Sequence, residues 1–170
     1  RIRQFKPDII INRFDHRTPG KTHGHHTSSA IISTEAFELS GSKNALSISE
    51  IWQPKRLFFN TSWWFSGSRE KFNNSDKYNL IEFDSGVYDP LTGRSNSEIA
   101  AMSRSQHKSQ GFGSAAQQGR QVEYLELIKG TPLKSNNPFE GINTSWTRLA
   151  GGAEIEKLII DIINEFNFSK

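Results

Sequence analysis

The feature that most restricts the fold of this chain is the run Ile9-Ile10-Ile11, which follows a proline at position 7. The run does not alternate between apolar and polar residues, and this favours a strand that is buried on both faces, as in parallel sheets. A polar loop, 15–25, comes next, and residues 27–39 carry apolar side chains at helical spacing. Because a strand, a loop and a helix in this order form half of a βαβ unit, we expect an α/β fold with a mostly parallel sheet flanked by helices.

Three more strands and a capped helix are predicted downstream. Ser95 and Glu98 have the spacing of a capping box, so a helix should start there and run to about Gln110, before Gly111. The predicted strands occupy residues 55–64, 78–86 and 122–128.

The end of the chain differs in character from residues 1–130. Residues 131–152 are rich in Pro, Asn and Gly and are interpreted as a linker. Residues 153–170 are interpreted as an amphipathic helix that leads into a further region. Its apolar side chains recur at helical spacing and must be covered by other groups; they are Ile155, Leu158, Ile159, Ile162, Ile163 and Phe166.

Composition excludes several kinds of site. The 170 residues include no cysteine, so disulfides, thiolate nucleophiles and cysteine-bound zinc are ruled out, and a metal would need His or carboxylate ligands. The net charge of +3 is spread along the chain and gives no indication of a nucleic-acid partner. The longest apolar run, 158–163, is far shorter than the roughly 20 residues that span a bilayer, so no membrane span is expected.

Three histidines, His23, His25 and His26, stand just before the first long helix. Neutral imidazole is a common zinc ligand, and this position is at the sheet edge where α/β proteins bind ligands. The alternative is a polar loop with exposed or capping histidines, because two histidines alone do not complete a zinc site. The other candidate ligands in the chain are Asp8, Asp15, His16, Glu35 and His107.

Two stretches carry a family resemblance. "KPDIIINRFDHRTPGKTHGHHTSSAIISTEAF" resembles a block of the PIG-L (LmbE-like) zinc-dependent deacetylases, in which a strand starting Arg/Lys-Pro-Asp leads to a His-Pro-Asp-His loop and a helix. "SEIAAMSRSQHKSQGFG" and "GRQVEYLELIKG" resemble the end of that domain in its larger bacterial members. The resemblance implies that residues 1–130 are the C-terminal portion of a Rossmann-like deacetylase domain.

The resemblance also implies roles for single residues. His26 matches the family's histidine zinc ligand, and His23 matches the histidine that stabilises the developing oxyanion and the leaving group. Asp15 matches the aspartate that lines the substrate pocket. Lys21 stands where the family usually has an aromatic residue, so it is a candidate substrate contact, and Gly24-His25 replaces the usual Pro-Asp. The reaction implied is removal of an acetyl group from an N-acetylated amino sugar or its conjugate, with Zn²⁺ as cofactor.

One part of the family pattern is absent. An Ala-His-Pro-Asp-Asp-Glu stretch, which supplies the other two zinc ligands and the general base, does not occur in the 170 residues. We therefore expect that a preceding segment of the same domain completes the site, and that the chain alone binds zinc weakly and hydrolyses little. Two other functions remain open. One is a non-catalytic carbohydrate-binding module that uses Trp63, Trp64 and Trp146, and the other is an interaction region built on the last helix.

Overall fold

The computed structural model describes residues 1–45, 49–110 and 113–168, with the side chains of 110, 167 and 168 excepted. The chain forms two compact units, Arg1–Asn137 and Pro138–Lys170. Among the described residues, no helix is both long and apolar enough to cross a bilayer.

The first unit is built on a four-stranded sheet. Its strands are β1 (Ile9–Asn12), β2 (Arg56–Thr61), β3 (Leu80–Asp84) and β6 (Val122–Gly130), in the order β1-β2-β6-β3. A short two-stranded ladder joins β4 (Tyr88–Asp89) to β5 (Arg94–Ser95). The helices are α1 (Ile2–Phe5), α2 (Gly24–Gly41), α3 (Trp63–Ser66), α4 (Arg69–Asn74) and α5 (Asn96–Ser105), with a 3₁₀ turn at Lys108–Gln110.

The prediction of an α/β sheet accompanied by helices is confirmed, but the sheet is mixed. The β1–β2 pair is parallel, whereas β6 runs antiparallel to both of its neighbours, β2 and β3. The expectation of a mostly parallel sheet was therefore wrong, because one strand pair is parallel and two are antiparallel. The cause is that β6 enters between β2 and β3, so only the first βαβ crossover makes a parallel pair.

The first strand is also less buried than its sequence suggested. Ile9 and Ile10 are half-buried, and Ile11 is 52% exposed. Within the described residues β1 pairs with β2 alone, so it is an edge strand. A groove borders this edge and is lined mainly by apolar side chains, among them Ile2, Phe5, Ile10 and Ile32.

The core lies at the centre of the sheet. Leu57 and Phe58 of β2 are fully buried, and Phe58 packs with Leu125 of β6 and Ile81 of β3.

The capping box predicted at Ser95 and Glu98 is confirmed: Glu98 N–H donates to Ser95 Oγ, and Ser95 N–H donates to Glu98 Oε2. The helix it starts is shorter than expected and ends at Ser105, while Gly111 lies outside the described residues.

Helix α2 is fixed at its C-terminal end by a buried arginine. The guanidinium of Arg3 donates to the carbonyl oxygens of Leu39, Ser40 and Ser42, at the end of the helix where carbonyl oxygens lack the regular i+4 N–H partner of the helix interior. The positive charge also lies at the negative end of the helix dipole. Arg3 thus ties α1 to the far end of the helix whose first residues carry the histidines.

Replacing Arg3 by methionine should therefore lower the free energy of unfolding by about 2–4 kcal/mol, because buried carbonyl oxygens lose charged donors. Urea denaturation measures the loss of stability, and hydrogen exchange of the α2 amides shows whether the loss is in that helix. Arg1→Met is the matched control, because Arg1 is exposed, and it should change stability by less than about 0.5 kcal/mol. Equal losses in the two variants would contradict the role of Arg3.

The second unit consists of a loop-rich segment and one long helix. A 3₁₀ turn at Trp146–Arg148 precedes α6, which spans Gly152–Phe168 and confirms the helix predicted at the end of the chain. Ile155, Leu158, Ile162, Ile163 and Phe166 of α6 are all exposed.

Candidate functional site

The parallel pair β1–β2 determines where the candidate site lies. Because both strands run in the same direction, the segments that follow them emerge at the same edge of the sheet. The segment after β1 is the loop 13–23, which leads into α2. The segment after β2 is the single-turn helix α3. Ligands of open α/β sheets bind at this carboxyl edge.

The three histidines converge at the start of α2. His23 is the N-cap residue with extended backbone, and its carbonyl oxygen accepts from the N–H of His26. The imidazole centroids are 5.5 Å apart for His23 and His26, 4.1 Å for His25 and His26, and 5.7 Å for His23 and His25. His23 and His25 are exposed, and His26 is half-buried.

His26 differs from its neighbours in its surroundings. Its imidazole stacks on the ring of Phe14 at 3.9 Å, with an angle of 9° between the planes. Desolvation, followed by the positive charges that His25 and His23 can carry, lowers the pKa of His26 below its usual value. The neutral form is therefore favoured, and this is the form that binds a metal. The contact with Phe14 covers a face of the imidazole and not the ring edge that carries the nitrogens.

Asp15 lies at the same edge and is nearly buried. Its Oδ1 accepts from the backbone N–H and from Nε of Arg17, at 3.0 and 2.8 Å, and His16 Nδ1 is 3.7 Å away. Burial raises the pKa of Asp15, but the hydrogen bonds and the charge of Arg17, with a smaller contribution from His16, outweigh it. The net pKa is lowered. Asp15 is consequently a carboxylate at neutral pH.

Arg17 joins this loop to the sheet. Its Nη1 and Nη2 donate to Oε1 and Oε2 of Glu126 on β6, each at 2.7 Å, while Nε binds Asp15. The hydrogen bonds to Glu126 and then to Asp15 raise the pKa of Arg17 above its usual value, so the guanidinium stays charged. Planar, two-point binding of a carboxylate fixes the arginine in direction as well as in distance.

The remaining candidate ligands do not gather around the histidines. Asp8 precedes β1, at the opposite end of the strand, about 13 Å from its carboxyl edge at 3.3 Å per residue. Glu35 follows His26 by nine residues in α2, a rise of about 13 Å. His107 is exposed beyond the end of α5. Over the described ranges, no group of three or more His, Asp or Glu side chains is arranged to hold a metal.

Lys21 is exposed in the loop, and its backbone N–H donates to Thr18 O at 3.3 Å.

Sequence reasoning missed the partners that hold the site in place. Asn12, at the end of β1, accepts from Ser33 Oγ at 2.6 Å and donates to Ala30 O at 3.4 Å, so it links β1 to α2. Asn12 could have been found from the sequence, because it is a polar residue at the end of an apolar strand. Glu126 carried no such signal, because it alternates with leucines as any strand residue would.

An aromatic wall extends from His26 along the same edge; it is formed by Phe14, Phe65 and Trp64. The ring of Phe14 lies 6.3 Å from that of Phe65, and Phe65 lies 4.9 Å from Trp64, both in edge-to-face contacts. The wall thus connects the loop after β1 with the turn after β2.

Comparison with protein-family models, curated proteins and solved structures found no match to this chain. The site is therefore interpreted from its own geometry and from the sequence resemblance.

Proposed function

We propose that this chain forms part of the active site of a zinc-dependent hydrolase that removes the acetyl group from an N-acetylated amino sugar or its conjugate. The observation that carries the proposal is the gathering of three imidazoles at the carboxyl edge of a parallel strand pair, with His26 stacked on Phe14 and the buried carboxylate of Asp15 next to Phe14 in the same loop. The reaction itself comes from the resemblance to the PIG-L deacetylases. In this proposal the sheet belongs to a Rossmann-like domain, in which β1, α2 and β2 are one crossover.

His26 is the proposed zinc ligand in this chain. Its lowered pKa favours the neutral imidazole that binds metals, and Phe14 stacks on its ring face rather than on the edge that carries the nitrogens. When bound, zinc would polarise the acetyl carbonyl and favour the ionised form of water. One histidine is a partial donor set, so His26 fits a metal but does not complete its coordination.

His23 and Asp15 act on the substrate in this proposal. Attack on an amide places negative charge on the carbonyl oxygen, and a protonated His23 would offset that charge. Among the described contacts, all hydrogen bonds to Asp15 end on Oδ1, so Oδ2 is left to accept from a substrate hydroxyl. Lys21, exposed in the same loop, is the proposed contact to more distant parts of the substrate.

The edge of β1 is the proposed place for the missing ligands. A further strand of the same domain could pair with β1, cover Ile11 and fill the apolar groove beside it. Its carboxyl end would then lie at the same edge of the sheet as the histidines if it ran parallel to β1. Such a segment could supply the remaining zinc ligands and the general base.

The test of the metal assignment is a zinc titration of the 170-residue chain against a competing chelator. His26→Ala should lower zinc affinity by at least about tenfold, whereas His25→Ala should stay within about twofold of the unmodified chain. His25→Ala is a matched control, because it removes an imidazole from the same cluster. Equal affinity in the unmodified chain and His26→Ala would refute the role of His26.

A second candidate function is a non-catalytic carbohydrate-binding module. Trp63 and Trp64 are 40% and 51% exposed, and exposed tryptophans are suited to stacking on sugar rings. Acetate release from an N-acetylated sugar, by the chain together with the segment that completes its site, separates the two candidates. A binding module would release none.

A further inference from the structure

Trp64 is the exposed end of the aromatic wall. It lies on α3, a single turn that Gly67 ends with a left-handed backbone, φ 85°. A helix this short offers no second turn to cover its side chains, and half of the Trp64 surface remains exposed. Its ring is perpendicular to that of Phe65, with an interplanar angle of 89°. A perpendicular contact can cover at most one face of the indole, so at least one face is not covered by Phe65.

The neighbouring tryptophan is placed differently. The guanidinium of Arg69 lies over the ring of Trp63 at 4.8 Å, so a cation already covers one face of that indole. Trp63 also makes no described ring contact with the aromatic wall. Of the two, Trp64 is the ring that is both exposed and continuous with His26.

Polar groups border the aromatic wall on the sheet side. Arg13 lies over the Phe65 ring at 5.9 Å, and its Nη1 donates to the backbone oxygen and to Oδ1 of Asn60, at 3.0 and 2.8 Å. Asn60 Nδ2 in turn donates to Glu123 Oε2 at 2.9 Å. A guanidinium, an amide and a carboxylate together balance in charge. They therefore suit hydroxyl and acetamido groups better than a strongly charged ligand.

We propose that Trp64, with Arg13 at its border, forms a subsite for a pyranose ring next to the one held at the histidines. The apolar face of the sugar would stack on the indole, and its hydroxyls would reach the polar groups around Arg13. The inference rests on the proposed function for the identity of the sugar as an N-acetylated amino sugar. It extends that function by assigning a second ring of the substrate to a defined surface.

The test is calorimetric titration of the 170-residue chain with N,N′-diacetylchitobiose in the presence of EDTA, so that binding is measured without metal or turnover. Trp64→Ala should weaken binding on the order of tenfold, and Trp64→Phe should weaken it less, because a smaller aromatic face is kept. Trp146→Ala, in the second unit, is the control and should bind as the unmodified chain does. Circular dichroism checks that each variant is folded.

Three outcomes would overturn the subsite: no binding of the disaccharide by the unmodified chain, unchanged binding in Trp64→Ala, or an equal loss in Trp146→Ala. Preference for adenosine over the disaccharide at Trp64 would overturn the carbohydrate class. None of these results bears on zinc affinity, so failure of the subsite and failure of His26 as a ligand are distinguishable.

Discussion

Replacement of His23 by alanine is expected to lower the rate of acetate release by on the order of 100- to 1000-fold, with little change in KM. The expectation follows from the proposed role: removal of one donor that stabilises an oxyanion typically has this effect. His23 is suited to the role because it caps α2 with its imidazole exposed, 5.5 Å from that of the proposed ligand His26. The measurement is steady-state kinetics of the chain together with the segment that completes its site.

His25→Ala is the matched control for this experiment. Its imidazole is also exposed and stacks near that of His23, at 5.7 Å, so the two variants alter the same cluster. His25 has no proposed part in the reaction, and we expect its variant to stay within a few-fold of the unmodified rate. A similar loss in both variants would mean that the cluster matters as a whole, and the assignment to His23 would then be wrong.

Replacement of Arg17 by methionine is expected to lower the free energy of unfolding by about 2–3 kcal/mol at neutral pH. The substitution leaves the nearly buried Asp15 carboxylate without its charged partner, and breaking such a pair costs more than losing an exposed one. The estimate lies below the usual range for buried pairs because Arg17 itself is partly exposed. Urea denaturation measures the loss, and Arg120→Met, which removes an exposed pair with Glu82, should cost less than about 1 kcal/mol.

The effect of Arg17→Met should also depend on pH. In the unmodified chain the pKa of Asp15 is lower in the folded state than in the unfolded state. Its contribution is therefore fully present above the ordinary carboxyl pKa, about 3.9, and is lost as the pH falls through the lowered value. Without the Arg17 side chain, the carboxylate keeps the backbone N–H of residue 17 and the nearby His16 but loses the hydrogen bond and the charge of the guanidinium, so the pKa of Asp15 should rise relative to the unmodified chain. The difference in stability between the two proteins should narrow below about pH 4, and a difference that is constant with pH would contradict this account.

Local sequence signals predicted the elements of the fold well. The capping box at Ser95 and Glu98 is formed as expected, and the apolar pattern of the last helix matches α6. The strand at Ile9 and the first long helix are also present, although α2 begins at Gly24 and so includes His25 and His26, which were predicted to lie before it. These features depend on interactions within a few residues, and such interactions can be read from spacing alone.

Long-range pairing could not be read in this way. The direction of β6 depends on its insertion between β2 and β3, and no residue of β6 encodes that position locally. The exposure of Ile11 follows from the absence of a described partner on the outer side of β1, although its sequence is as apolar as that of a central strand. Arg17 and Glu126 are 109 positions apart, so their contact becomes visible only in the folded chain. The histidine roles remain predictions.

A register shift in the pairing of β2 with β6 affects which side chains of β6 can bind α2 and the loop before it. Leu57 is paired with Lys129 and Phe58 with Leu127, so β6 has one additional residue, Ile128, between these pairs. Residues three apart in a regular strand point to opposite faces, but the extra residue shifts that alternation between Glu126 and Lys129. Glu126 binds Arg17, before the start of α2, and Lys129 binds Glu38, near its end. A single strand therefore binds both the loop that leads into α2 and the last turns of that helix, through side chains that the extra residue brings to the same face of the sheet.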